Sequence, residues 1–179
     1  MSHDVSLLVL GLGGGLAGDD GVGPAAVAEL GRRFVPPSGT RVVDGGALGL
    51  ALLPLLARAD KVLLVGSAPW GDAPGSVVRL DGDDVTPALR SRLAAHQVEV
   101  ADLLDGLRLC SHWPRRLGLV GLVPAPLELR RGRSPAVESV LPALVEALVE
   151  EAARWGHPFA PIEPGGSPRM ARSRGAELR

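Results

Sequence analysis

The sequence predicts a three-layer α/β/α domain whose sheet is mainly parallel and doubly wound, with one antiparallel strand at an edge. Short, continuous apolar runs are typical of strands covered on both faces, and here they alternate with segments of helical periodicity. Strands and helices that alternate at this spacing indicate right-handed crossovers between parallel neighbours. The 179 residues suffice for one ordinary domain with a real core.

In the first half of the chain, we expect two strand–helix units and a third strand. The first strand covers residues 5–10 and ends in a glycine-rich turn. A helix follows with Pro24 in its first turn, where proline is tolerated. The other predicted elements are a strand over residues 40–44, an apolar helix over residues 47–59 that bends near Pro54, and a buried strand over residues 61–65.

The second half of the chain supplies the edge strand, three helices and one more buried strand. Residues 76–80 form the short strand that we expect to be antiparallel. The other predicted elements are helices over residues 86–93 and 98–107, a strand over residues 116–123, and a long helix that is entered at Ser134 and Pro135. His96 is expected on the connection between the first two of these helices.

The composition of the chain changes near residue 156. From there onward it has four prolines, scattered arginines and few large apolar side chains. Such a segment cannot bury enough apolar surface to offset the entropy of ordering it. We therefore expect a single domain over residues 1–155 and a flexible tail over residues 156–179.

Composition also excludes several classes of function. The 19 basic and 20 acidic side chains nearly cancel, so no net field attracts the chain to nucleic acid or anionic lipid. The main apolar stretches, residues 5–18 and 47–57, are shorter than the roughly 20 residues that span a bilayer. The single cysteine, Cys110, permits no internal disulfide and is expected to pack rather than act as a nucleophile. The first residues lack the cationic start of a secretory signal, so we expect a cytoplasmic protein.

The glycine-rich turn after the first strand admits a dinucleotide-binding hypothesis. Residues 13–18 match the GxGxxG pattern, and Asp44 follows the next strand, where an acidic residue binds the ribose. However, Asp19 and Asp20 precede the helix on which a pyrophosphate would lie, and their charges repel it. A phosphate-binding loop of the GK[ST] type is excluded as well, because Lys61 is the only lysine. The dinucleotide-binding module is therefore a disfavoured alternative.

The same two carboxylates suit a cation. In an open α/β sheet, ligands bind outside the carboxyl ends of the strands, which is where Asp19 and Asp20 follow the first strand. A metal site is therefore the stronger functional interpretation. The alternative without a function is a glycine turn whose acidic residues cap the helix.

Beyond this turn, four blocks of the sequence resemble the hydrogenase maturation endopeptidase family. The first block is similar to the family's opening GxGNxLxxDDGxG signature, and the similarity extends from about residue 5 to residue 154 in the family's order. The blocks are GLGGGLAGDDGVGP (residues 11–24), VDGGALGL (43–50), AHQVEVADLL (95–104) and LVGLVPAPLE (119–128), and SPAVE (134–138) fits before the last helix. Four blocks in order are far more specific than one glycine motif.

This resemblance implies a function and a set of site residues. It implies an α/β endopeptidase that removes the C-terminal extension of a nickel-iron hydrogenase large-subunit precursor after nickel insertion. By position in the family's blocks, the catalytic and nickel-recognising residues are Asp20 and His96, and the nickel is supplied by the precursor. Carboxylate and imidazole both suit nickel.

Two positions depart from the family's pattern. The third nickel-recognising position, an aspartate in the family, falls on Gly66, which has no side-chain ligand. The asparagine of the first block is replaced by Gly14. Three further carboxylates are candidates for supporting the site, namely Asp19, Asp44 and Asp72. Because of these departures, we keep as an alternative a degenerate homologue that binds the precursor or a maturation factor without hydrolysis.

Overall fold

The elements of the chain are seen in a computed structural model that describes residues 4–13, 21–46, 49–68, 70, 73–90, 95–124 and 135–163, without the side chains of residues 95–99, 136 and 137. Its strands are β1 (Leu7–Leu12), β2 (Phe34–Val35), β3 (Thr40–Gly46), β4 (Lys61–Ser67), β5 (Val77–Asp81), β6 (Arg116–Leu122) and β7 (Ala160–Pro161). Its helices are α1 (Val22–Arg33), α2 (Leu53–Leu56), α3 (Val85–Arg90), α4 (Ala95–Leu109) and α5 (Pro135–Arg154), with 3-10 turns at Gly49–Leu52 and Gly82–Asp84.

Five of the strands form one sheet in the order β3-β1-β4-β6-β5. All neighbours are parallel except β5, which pairs antiparallel with β6 at the edge. The predicted fold class and the predicted antiparallel edge strand are therefore confirmed. Every residue of β1 is buried, as the continuous apolar pattern requires.

Helices cover both faces of this sheet. Side chains that alternate along β1 point to opposite faces, so Leu7 and Val9 join one apolar cluster while Leu8 and Leu10 join the other. The first cluster includes residues of α1 and α5, and the second includes residues of α2, α3 and α4. Within the described residues, no helix is both long enough and apolar enough to cross a membrane.

Two glycines allow α1 to lie directly on the sheet. A Cβ built at Gly23 would lie 2.2 Å from the carbonyl oxygen of Leu12 and 2.5 Å from that of Val65. A Cβ at Gly11 would lie 2.8 Å from the carbonyl oxygen of Gly23. The first turn of α1 is therefore held against the ends of β1 and β4 at a distance that only glycine permits.

Two predicted elements differ from the observed ones. The helix expected over residues 47–59 is reduced to a 3-10 turn followed by the four residues of α2, and Pro54 stands in the first turn of α2 rather than at a bend. Residues 47 and 48 lie outside the described residues. His96 lies in the first turn of α4 and not on a connection, because that helix begins at Ala95.

The domain extends beyond the predicted boundary. Residues 156–163 do not form a flexible tail: β7 pairs antiparallel with β2, and Ile162 donates a backbone hydrogen bond to Arg33. His157 and Phe159 are only 9% and 8% exposed. The prediction is wrong for this segment because Phe159 is buried in the cluster on the α1 and α5 face, and backbone pairing adds to that contact. Residues 164–179 lie outside the described residues.

Candidate functional site

The carboxyl edge of the sheet is the edge at which β1, β3, β4 and β6 end. Leu12 at the end of β1 pairs with Gly46 at the end of β3, and Gly66 near the end of β4 pairs with Gly121 of β6. Open α/β sheets bind their ligands outside this edge, where the strand order reverses. Here the reversal lies between β1 and β4, because the chain crosses from β1 to β3 in one direction and then returns over β1 to β4 and β6 in the other.

The N-termini of α1 and α4 both lie at the carboxyl edge, on opposite faces of the sheet. Helix α1 follows β1, and its N-cap residue is Gly21. Helix α4 returns to the start of β6, and its 15 residues extend about 22 Å, close to the height of a seven-residue strand. The first turn of α4, which contains the backbone of His96, therefore lies at the same edge as Gly21.

The proximity of Asp20 and His96 stays a prediction. Asp20 lies outside the described residues, as do Asp19, Gly14 and Asp72, and the side chain of His96 is not described. Among the side chains that are described, no group of three or more His, Cys, Asp or Glu residues could hold a metal ion.

Gly66 lies where the family resemblance puts the third nickel-recognising residue, near the end of the central strand β4. It is buried, and a Cβ built on it would lie 3.1 Å from the carbonyl oxygen of Leu12 and 3.3 Å from the Cβ of Leu12. A side chain at this position therefore requires Leu12 to move by a few tenths of an ångström. The glycine thus permits the close packing of β1 against β4. It also means that this position has no carboxylate, unlike the aspartate of the family's pattern.

Asp44, a candidate supporting carboxylate, stabilises a local turn. It is exposed at the end of β3, beside Gly11 in the parallel register. Its Oδ1 accepts a 2.9 Å hydrogen bond from the backbone N–H of Gly46, which has a φ of 46°. This is the bond by which an aspartate commonly fixes a turn, and it engages one of the two carboxylate oxygens. A contribution of Asp44 to the site stays a prediction.

The carboxyl edge also carries a hydroxyl that the sequence analysis did not single out. Ser67 ends β4 and is buried next to Gly66. Its signal in the sequence is a single polar residue that closes an apolar strand. The chain then crosses over β6, since a Cβ at Gly121 would lie 2.0 Å from the Cβ of Ala68.

Cys110 and His112 lie far from this edge, in the connection from α4 to β6. Cys110 is exposed, so the expectation that it packs is wrong. His112 directs Nδ1 to the carbonyl oxygen of Cys110, at 2.6 Å, and that contact leaves the thiol without an oriented base in this pair. The pair is therefore not the arrangement of a thiol nucleophile.

A polar cluster fastens the C-terminal segment at the amino edge, where β1, β3, β4 and β6 begin. Lys61, the only lysine, donates to the carbonyl oxygen of Trp155 at 2.7 Å and to Nε2 of His157 at 3.3 Å. Nδ1–H of His157 then donates to Oγ1 of Thr40 at 3.4 Å. Burial and the charge of Lys61 lower the pKa of His157, while the charge of Asp60 acts in the opposite direction. The neutral imidazole therefore helps to hold the C-terminal segment against the starts of β3 and β4.

Comparisons with known proteins agree with the resemblance in the sequence blocks. Residues 24–151 match a family model described as hydrogenase maturation protease. The chain is 33% identical over 144 residues to the Hydrogenase 2 maturation protease of Escherichia coli (strain K12), which covers 79% of this chain and 88% of that protein. It is 32% identical over 152 residues to the hydrogenase expression/formation protein HupD of Rhodobacter capsulatus, with coverages of 84% and 72%.

Solved structures give the same result. The hydrogenase maturating endopeptidase HybD from E. coli is similar to this chain with a TM-score of 0.82 and 30% sequence identity. The similarity covers 88% of this chain and 98% of that one. The layers, the sheet and the edge described above are therefore shared with a solved endopeptidase over almost its whole length.

Proposed function

The chain belongs to the hydrogenase maturation protease family, and on that premise we propose that it removes the C-terminal extension of a nickel-iron hydrogenase large-subunit precursor after nickel insertion. The observation that carries the proposal is the structural match to a hydrogenase maturating endopeptidase over 88% of this chain and 98% of that one, with a TM-score of 0.82. Family membership supports hydrolysis of a hydrogenase precursor. The blocks of the sequence support removal of the C-terminal extension after nickel insertion. We place this reaction in the cytoplasm.

Asp20 and His96 are the residues to which we assign recognition of nickel. A carboxylate and an imidazole are donors that nickel accepts, and the two positions belong to separate blocks of the family. The helix starts at Gly21 and Ala95 support a shared cleft, because they lie at one edge of the sheet. The nickel ion is part of the substrate: bound in the precursor, it contacts Asp20 and His96 and thereby positions the scissile peptide.

Because residue 66 is a glycine, this chain offers nickel fewer side-chain ligands than the family's pattern does. The chain offers no third side-chain ligand there, so the remaining positions on nickel belong to the precursor or to water. We expect weak binding of free nickel by this chain alone. The precursor, which holds nickel with its own ligands, does not need a complete site on the enzyme.

Gly66 is also the observation that favours a second candidate, a homologue that binds the precursor without cutting it. Incubation with nickel-loaded precursor, followed by mass measurement of the large subunit, separates the two. A subunit shortened at its C-terminus supports the endopeptidase, with nickel-free precursor as the control that stays uncut. A stable complex with an uncut subunit would contradict hydrolysis and support the binding homologue.

A further inference from the structure

The C-terminal segment, by which we mean residues 157–163, is joined to the rest of the domain by short contacts at the amino edge. Its backbone contacts are the two-residue pairing of β7 with β2 and the hydrogen bond that Ile162 donates to Arg33. Phe159 is its buried aromatic side chain. Protein segments with few contacts open with a smaller free energy than the strands of the core. This segment is therefore suited to open while the sheet stays folded.

His157, at the start of the C-terminal segment, is buried between two groups that suit only a neutral imidazole. Its Nε2 accepts a hydrogen bond from the ammonium group of Lys61 at 3.3 Å, and its Nδ1–H donates to Oγ1 of Thr40 at 3.4 Å. A protonated imidazole carries a hydrogen on both nitrogens, so Nε2 can no longer accept. Protonation therefore breaks the contact with Lys61 and brings two positive charges together.

The nearby acidic group does not cancel this repulsion. Asp60, which precedes β4, favours the protonated imidazole of His157. However, both carboxylate oxygens of Asp60 accept hydrogen bonds of 2.7 Å from the guanidinium group of Arg115. Burial and the charge of Lys61 act in the opposite direction, and the pKa of His157 in the closed segment is lowered as a result.

Charged groups on the other elements around the segment have partners of their own. On α5, Glu151 accepts a 2.7 Å hydrogen bond from the indole N–H of Trp155. On β6, the guanidinium carbon of Arg116 lies 4.6 Å from the centre of the Trp155 ring. On α1, Arg33 pairs with Glu146. The charge balance at the imidazole is therefore determined by the groups on β4 and directly before it.

We propose that the C-terminal segment opens and closes while the sheet stays folded, and that protonation of His157 favours the open form. In the open form the imidazole is solvated and separated from Lys61, so its pKa returns to the ordinary value near 6.5. Below about pH 6.5 the open form therefore binds more protons than the closed form, and its population rises as the pH falls towards the lowered pKa. Opening exposes Phe159 at the amino edge and leaves the carboxyl edge intact.

Hydrogen exchange, followed for single amides by NMR, measures this opening. The probe is the amide of Ile162, because its hydrogen bond to Arg33 breaks when the segment opens. The amide of Val9, in the buried strand β1, reports opening of the sheet. Each rate is divided by the rate of an unstructured peptide at the same pH, so that the pH dependence of the exchange chemistry cancels.

We expect Ile162 to be less protected than Val9 at each pH between 5 and 7. Its protection should fall by at most about tenfold per pH unit below about pH 6.5, the limit for one proton. His157→Gln removes the titrating group and should abolish this fall, while the matched control His112→Gln should keep it. Lys61→Met should reduce the fall without abolishing it, because burial is the larger cause of the lowered pKa of His157.

Two results for the wild type alone would overturn the inference, so it can be tested even if a variant fails to fold. Equal protection of Ile162 and Val9 at each pH would show that the segment opens only when the whole domain unfolds. A weakly protected Ile162 whose corrected rate is the same at pH 5 and pH 7 would show that His157 does not control the opening.

Discussion

The two edges of the sheet are stabilised by different kinds of contact. At the carboxyl edge the backbone is closely packed around Gly11, Gly23 and Gly66, and the described polar side chains there include Asp44 and Ser67. At the amino edge charged side chains are abundant and paired. The pairs include Arg115 with Asp60, Arg116 with Asp81, and Arg58 with Asp4, and Lys61 donates a hydrogen bond to the neutral His157.

The two edges are therefore stabilised by different contacts. The amino edge joins the loop after α4 and the C-terminal segment to the starts of β4 and β6, so its polar contacts fasten the chain. Among the described residues, the carboxyl edge is closely packed through backbone contacts at Gly11, Gly23 and Gly66. Substitutions should therefore act through backbone clashes at the carboxyl edge and through lost polar contacts at the amino edge.

The largest effect on stability is expected at Gly23, on which the close packing of the carboxyl edge depends. Gly23→Ala places a Cβ 2.2 Å from a backbone carbonyl oxygen, so α1 must move away from β1 and β4. We expect the free energy of unfolding to fall by about 3 kcal/mol or more. Gly31→Ala is the control in the same helix: nothing lies within 4 Å of its Cβ, and it should stabilise by about 0.5–1 kcal/mol. Denaturant titration that finds equal stability for both variants would refute the close packing.

A change in nickel binding is expected at Gly66. Gly66→Asp adds an anionic ligand beside the positions assigned to nickel, and we expect the affinity for nickel to rise at least about tenfold. Gly66→Ala measures the cost of displacing Leu12 without adding a ligand. Calorimetric titration should find weak binding by the wild type and by Gly66→Ala, and His96→Ala should abolish the gain. Equal affinities in all folded variants would mean that Gly66 is not the missing ligand position.

A smaller, pH-dependent effect is expected at the amino edge. Because burial and Lys61 lower the pKa of His157 in the folded state, the unfolded chain binds more protons just below pH 6.5. The contribution of His157 to stability is therefore complete above about pH 6.5 and is lost as the pH falls towards the lowered pKa. The slope cannot exceed about 1.4 kcal/mol per pH unit for one proton.

His157→Gln should flatten this slope between about pH 5 and pH 7 in denaturant titrations. His112→Gln, at a half-buried histidine outside the cluster, is the matched control. A slope in His157→Gln equal to that of the wild type would contradict the lowered pKa of His157 in the folded state.

The strands and layers could be predicted because buried parallel strands leave a continuous apolar pattern, as in β1 and β4. The two-residue pairing of β2 with β7 is too short to leave such a pattern. Phe159 is the buried aromatic residue of this segment, and one aromatic residue in the sequence does not predict that the segment is ordered. The blocks of the sequence identified the family and the position of Gly66. They could not reveal that a side chain there would meet Leu12, because that contact is made between strands far apart in the chain.

The most direct test of the account compares one histidine from each edge in the cleavage of nickel-loaded precursor. His96→Ala and His157→Gln are incubated with the precursor beside the wild type, and the mass of the large subunit is followed over time. We predict that the wild type and His157→Gln shorten the subunit at similar rates and that His96→Ala leaves it uncut. Cleavage by folded His96→Ala at the wild-type rate would contradict the assignment of the active site to the carboxyl edge.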